Sequence, residues 1–402
     1  MKEQVIGSNL EKVNVLFVFH HANLNNGAVR SMVDVIETLQ DRFNINPIVV
    51  YPWHRGSAVD YLEKIGVHCY HVPYGCWNYP LHGTVKAKLR RLAEECLKYL
   101  MSVFSLKKFD EIIRNENIQL IYSNTAVIYT GAVLARRHSL PHIWHIREFL
   151  KEDHDFGIYF GEEKLYSRLK EADALIYISK SIQKKYSRFV SDDVIQETIY
   201  NDISPQFISE KESFNTNPEQ PLEIAIIGAI QKGKGQHQAI EAIELLKKRG
   251  VNVHLHIAGN PRGAYYEQLV EYVHRKSLED QVSFDGFITD VNGYRKNMDV
   301  GIVASSNEAF GRVTVEGMLS MMAMIGAKAA GTSELIEHGK TGYLFELGNV
   351  EELADQIEHV NNDRSEMVRI ANAGFAYAKD NFTKGTAAQK ISRVIRRVIG
   401  RR

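Results

Sequence analysis

The stretch EAFGRVTVE, residues 308–316, sets two carboxylates either side of a glycine at the opening of a helix. It follows the apolar run VGIVAS, so Glu308 falls in a loop at the carboxyl end of a strand and Glu316 inside the next helix. Ligands of open α/β sheets bind at those strand ends. Gly311 allows close backbone approach near the helix start, where free amides suit anionic or polyhydroxylated ligands. On composition alone, two solvent-facing glutamates are the simpler reading.

Other residues with chemical potential are less specific. His68, Cys69, His71 and Cys76 lie close in sequence but lack zinc spacing, and strand alternation turns Cys69 away from His68. They read as structural residues, as do His254 and His256 on one strand face. His20 and His21 end the first strand, where an acceptor-side role is open. Cys96 has no base motif around it and reads as a packing residue.

The elements that must position these groups alternate. Apolar runs such as VNVLFVFHH, IQLIYSN, PHIWHIR, LEIAIIG and VNVHLHIAG are each followed by helical periodicity, as in AVRSMVDVIETLQ and HQAIEAIELLKKRG. Such alternation predicts crossover units and parallel sheets, in an α/β fold of two Rossmann-like doubly wound domains. The polar, proline-containing stretch at 204–221 breaks the rhythm and reads as a linker. The expected organisation is a domain over 1–204, a linker over 205–221, a second domain over 222–384 and a basic helix over 385–402.

The chain has 402 residues, enough for two or three domains. Hydrophobic residues at 44% and charged residues at 24% are ordinary globular usage. Lysine plus arginine and aspartate plus glutamate both number 49, which argues against a dedicated nucleic-acid binder. The N-terminal stretch is polar, no run approaches the roughly 18 apolar residues of a spanning helix, and three cysteines make a disulfide framework an unsuitable reading. A cytoplasmic protein is expected. Two segments stand apart: residues 81–108, with Lys86, Lys88, Arg90, Arg91, Lys98, Lys107 and Lys108, and the C-terminal AQKISRVIRRVIGRR. Each is either a solvated or packed helix or a contact with an anionic membrane surface.

The Glu, Phe-Gly, Glu spacing resembles the signature of the family 4 retaining glycosyltransferases (glycosyl transferases group 1), which have the two-Rossmann GT-B fold facing a central cleft. In order along the chain, IGAIQKGKG (227–235), IAGNPRG (257–263), FDGFITD (284–290) and GTSELIEHGKTGYLF (331–345) resemble further blocks of that family. NNGAVRSM (25–32), WHIRE (144–148), YISKSI (177–182) and IYND (199–202) match more loosely.

The resemblance implies roles residue by residue. Glu316 would accept hydrogen bonds from the ribose of a UDP- or GDP-linked sugar donor, and Glu308 would hold hydroxyls of the transferred sugar beside the Phe310 and Gly311 amides. Lys234, after the turn at Gly228, would neutralise the diphosphate as charge builds on the leaving group, with Arg312 nearby. Main-chain groups around Phe287 and Ile288 would face the nucleobase. Gly27 would let the first domain approach the diphosphate and acceptor, and His145 would lie near the anomeric centre. No metal is called for.

The chain departs from the family pattern at two places. Ala229 stands where an arginine is usual, leaving Arg312, Arg147 or Lys232 to supply that charge. Met321 and Ala323 stand where glycine and proline are usual. The leading expectation is a retaining transferase moving a sugar to a saccharide or lipid-linked saccharide in envelope or capsule synthesis, with peripheral membrane contact. The alternatives are a catalytically silent GT-B partner protein and, with the fold kept, an epimerase or phosphorylase.

Overall fold

The computed structural model describes residues 11–81, 84–159 and 161–401. Two compact units emerge, one ending at Asp202 and resumed from Gly385, the other Ile203–Lys384. In the first, strands β1 (Val13–Val18), β2 (Ile45–Tyr51), β3 (His68–His71), β4 (Asn78–Pro80), β5 (Leu120–Ser123), β6 (His142–Ile146), β7 (Phe156–Ile158), β8 (Ala174–Tyr177) and β9 (Ile195–Thr198) follow in chain order. Seven of them form a parallel sheet ordered β3-β2-β1-β5-β6-β8-β9, with β4 and β7 paired antiparallel beside it. The second unit carries β10 (Leu222–Ile227), β11 (Val253–Ala258), β12 (Val282–Gly286), β13 (Val300–Val303), β14 (Ala323–Ala327) and β15 (Tyr343–Phe345). Its sheet is parallel, in the order β12-β11-β10-β13-β14-β15.

Helices cover both faces of such sheets, so their central strands are apolar in near-continuous runs rather than on alternate residues. β1 and β10 follow this: Val15, Leu16, Phe17 and Val18 are buried in succession, as are Ile224, Ala225 and Ile226. In each sheet the strand order reverses at the middle, between β1 and β5 and between β10 and β13. Loops diverge from such a reversal, leaving a crevice at the strand carboxyl ends.

Two boundaries differ from the sequence expectation. The polar stretch 205–221 is not a free linker but part of the second unit. Ser209 N–H donates to the Leu319 carbonyl at 2.9 Å, Lys211 Nζ donates to the Met298 carbonyl, and Phe214 packs on the core. The basic C-terminal helix Thr386–Ile399 is not a separate tail. Its stripe of Ile391, Val394, Ile395 and Val398 is buried in the first unit's core with the helix Gly27–Phe43. Asp202 accepts the Ala387 and Ala388 N–H groups at 2.9 and 3.3 Å, anchoring the start of that helix.

Candidate active site

In the second unit the crevice is built by glycines. Gly228 follows β10 with φ 149°, and its N–H donates to the Ala258 carbonyl at 2.9 Å. Gly259 follows β11; a Cβ there would stand 2.1 Å from the Gly228 carbonyl oxygen. The next loop turns at Gly235, with φ 73° and an added Cβ 2.2 Å from the Ala304 carbonyl oxygen. Both constraints demand glycine, and the second seats the Lys232–Lys234 turn against the end of β13, where Ser306 N–H donates to the Gly233 carbonyl at 3.0 Å.

That seating brings Lys234 to Glu308. Lys234 Nζ donates to Glu308 Oε1 at 2.5 Å, and Ser305 Oγ donates to the same oxygen at 2.8 Å. The Lys234 side chain is 32% exposed and an ammonium has three donors, so the pair leaves cationic donors facing outward. The Glu308 loop is held from behind by Gly331, whose N–H donates to the Glu308 carbonyl at 2.8 Å. A Cβ at Gly331 would meet the Phe310 carbonyl oxygen at 2.5 Å.

Eight residues on, Glu316 lies between two guanidiniums. Arg295 Nη2 donates to Oε2 at 2.5 Å and Arg312 Nε to Oε1 at 2.6 Å. The Arg312 guanidinium sits 5.1 Å from the Phe207 ring centroid. Arg295 is 2% exposed, and its Nε and Nη1 are buried without a hydrogen-bond partner among the described residues. No motif announces Arg295; in sequence it reads as a surface charge of a short helix.

The remaining expected residues separate into exposed and buried. Phe287, after β12, is 75% exposed and available to a planar ligand, with Ile288 half-buried beside it. Phe310 is instead buried and packs edge-on against Phe382 at 5.9 Å. Gly311 has φ 93° and starts the helix Arg312–Met318. Ala229 is exposed. Of the three cations expected to stand in for its missing charge, Arg312 is engaged with Glu316 and Arg147 is buried in the other unit, while Lys232 is exposed. Met321 has φ 54°, so the glycine usual there would relieve a left-handed backbone.

In the first unit, Gly27 begins the helix Gly27–Phe43 behind the Asn26 cap, and an added Cβ would meet nothing within 4 Å among the described residues. The described residues therefore make no steric demand for glycine there. His145, expected near the anomeric centre, is 1% exposed in the interior strand β6, with Nδ1 2.7 Å from Tyr122 Oη and 3.2 Å from Arg147 Nη2. Burial and the Arg147 charge hold its pKa well below the usual value, so the ring is neutral. Arg147 also donates to Asn124 Oδ1 at 2.9 Å and Asn201 Oδ1 at 2.7 Å, which ties the WHIRE and IYND blocks together. Glu148 is buried, accepting the Val127 and Arg147 N–H groups at 3.3 and 3.1 Å. Burial and the neighbouring Asp153 push its pKa up to about 8.

Residues 208–376 match the family model for glycosyl transferases group 1. An uncharacterized glycosyltransferase of Methanocaldococcus jannaschii is 26% identical over 278 residues, 66% of this chain and 72% of the relative. The capsular polysaccharide biosynthesis glycosyltransferase CapM of Staphylococcus aureus is 25% identical over 160 residues, 40% of this chain and 42% of the relative. The structure of Anabaena HepE, solved with UDP and glucose, aligns with a TM-score of 0.74 at 22% identity, over 95% of this chain and 98% of that one. These matches support the group 1 glycosyltransferase family, and the fold is that of GT-B glycosyltransferases: α/β, with parallel sheets in two domains.

Proposed function

We propose that this protein is a retaining glycosyltransferase. It moves a sugar from a UDP- or GDP-linked donor to a saccharide or lipid-linked saccharide in envelope or capsular polysaccharide synthesis. The observation that carries the reading is the Lys234–Glu308 pair at the strand-order reversal of the second sheet. Lys234 neutralises the diphosphate as the glycosidic bond breaks, and Glu308 orients hydroxyls of the sugar. Each Glu316 oxygen holds one guanidinium and keeps a further lone pair for a ribose hydroxyl. The exposed Phe287 faces the base. Transfer proceeds on one face of the sugar, a leaving phosphate oxygen helping to deprotonate the acceptor. The cationic side chains supply the charge neutralisation, so the reading calls for no metal. His145 acts here through Tyr122 and Arg147 as a positioning residue.

HepE was solved with UDP and CapM is named for capsular polysaccharide, which favours this donor class and acceptor setting. The reading includes peripheral contact with an anionic membrane at its cytoplasmic face. The C-terminal helix buries its apolar stripe, whereas the helix Val85–Phe104 presents one to solvent. Calorimetric titration with UDP and GDP tests the donor site. Wild type is expected to bind one of them, and Lys234→Ala to weaken it at least tenfold. A folded wild type that binds neither would favour the silent-partner reading, for which the exposed Ala229 is the specific observation.

A further inference from the structure

The helix Val85–Phe104 leaves an apolar stripe uncovered, which is unusual for a surface helix. Two of its polar residues face the protein: Ser102 is buried, accepting the Gly75 N–H at 3.1 Å, and Lys98 Nζ lies 5.3 Å from the Trp53 ring centroid, while Lys86, Arg90 and Glu94 are exposed. Its apolar stripe faces out, with Leu89 62% and Phe104 83% exposed and Leu97, Leu100 and Val103 between them. Part of that stripe roofs a cavity of 670 Å³, in the roughly 300–1,000 Å³ range of small-molecule sites. Leu92, Cys96, Tyr99 and Leu100 form its helix side, and Trp77, Tyr129 and Tyr159 the opposite wall.

That wall is preformed. Trp77 Nε1 donates to the Ala126 carbonyl at 2.8 Å, its ring stacks on Trp144 at 6.0 Å, and Tyr159 N–H donates to the Trp77 carbonyl at 2.7 Å. Lys164 and Arg168 complete the lining. The helix itself carries Lys86, Lys88, Arg90, Arg91 and Lys98 against Glu94 and Glu95. An apolar chamber whose lining includes Lys164 and Arg168, the latter paired with Glu171 at 2.6 Å, and which lies under a basic helix, is complementary to a molecule that is apolar at one end and anionic at the other.

We infer that this cavity holds the apolar chain of a phosphate-bearing lipid, with Lys164 and Arg168 at its phosphate end. The inference deepens the lipid-linked acceptor of the proposed function and rests on that reading for its purpose. A protein partner laid on the helix would cover the stripe but leave the chamber empty; a lipid chain fills it.

The test is calorimetric titration of the full chain with farnesyl phosphate, geranyl phosphate, farnesol and inorganic phosphate, with UDP and GDP titrated into the same samples. Each buried methylene is worth about fourfold in affinity, so farnesyl phosphate should bind more than tenfold tighter than geranyl phosphate, and inorganic phosphate should not bind. Cys96→Trp and, separately, Leu92→Trp fill the chamber from the exposed helix and should each weaken farnesyl phosphate at least tenfold with circular dichroism unchanged. Lys164→Glu should weaken farnesyl phosphate and leave farnesol unchanged. No binding of farnesyl phosphate by folded wild type, no dependence on chain length, or undiminished binding by both tryptophan variants would overturn the inference. A sample that binds a nucleotide but not farnesyl phosphate overturns the cavity and leaves the donor site standing. The converse result keeps the cavity and removes the donor reading.

Discussion

Removing the Glu316 carboxylate should damage the second unit far more than removing the Glu308 carboxylate, although the two lie eight residues apart in one block. The difference is in their partners. Lys234, beside Glu308, is 32% exposed and can turn to water, whereas the Arg295 side chain is 2% exposed and cannot. Stripping one partner from a buried ion pair costs about 3–5 kcal/mol, against about 1 kcal/mol or less where the surviving charge reaches solvent. For a unit of roughly 150–250 residues, 1 kcal/mol moves Tm by about 2–4 °C. Glu316→Ala should therefore lower the second unit's Tm by about 6–20 °C, and Glu308→Ala by about 4 °C at most. The double variant Glu316→Ala, Arg295→Met removes the stranded guanidinium and should recover at least about 2 kcal/mol. Differential scanning calorimetry on the four proteins reads this directly. Equal shifts for the two single variants, or a double variant no more stable than Glu316→Ala, would refute the argument. One practical consequence is that Glu316→Ala confounds nucleotide affinity with folding, and Lys234→Ala is the cleaner probe of the donor site.

Three further outcomes are expected. Gly235→Ala combines a left-handed backbone with a Cβ 2.2 Å from a carbonyl oxygen that cannot yield, and should destabilise by about 2–4 kcal/mol in urea titration while also displacing Lys234. Glu148 has a folded pKa of about 8, above its unfolded value, so the stability it contributes is full below about pH 4.5 and is lost as pH rises through 8. Glu148→Gln should flatten that decline in denaturant titrations between pH 5 and pH 9, and an unchanged slope would count against a neutral Glu148. Leu97→Glu and Phe104→Glu lie on the exposed stripe and should change stability by about 0.5 kcal/mol or less, yet reduce sedimentation with anionic vesicles.

The alternation of buried strands and helices was legible because parallel strands covered on both faces are apolar over nearly their whole length, as in VNVLFV and LEIAII, each broken only by one polar residue near its start. The same rule buries His145. A central strand with both faces covered buries its polar residues along with its apolar ones, and spacing alone does not tell a neutral core histidine from an accessible one. The stretch 205–221 looked like a linker because its attachments are few and scattered, the Ser209 N–H, the Lys211 ammonium and the Phe214 ring, and these leave no periodic trace in the sequence. Two basic amphipathic helices looked alike, and only packing separates them: Ile391 and Ile395 are buried while Leu97 and Phe104 are exposed. Arg295 was silent, since a buried counter-charge on a short helix has no periodic signal. Met321, in contrast, was flagged by the missing glycine, and its φ of 54° supplies the physical reason.

The central claim is donor turnover at the Lys234–Glu308 site. Mass spectrometry should follow release of nucleoside diphosphate from a panel of UDP- and GDP-sugars, with a polyprenyl-linked saccharide as acceptor. Wild type, Lys234→Ala and Glu308→Ala are compared, and the product anomer is read by NMR. The account predicts that one donor is consumed with its anomeric configuration kept, and that either substitution cuts the rate at least a hundredfold in a folded protein. Nucleotide binding without turnover of any donor, or turnover undiminished in both variants, would contradict it.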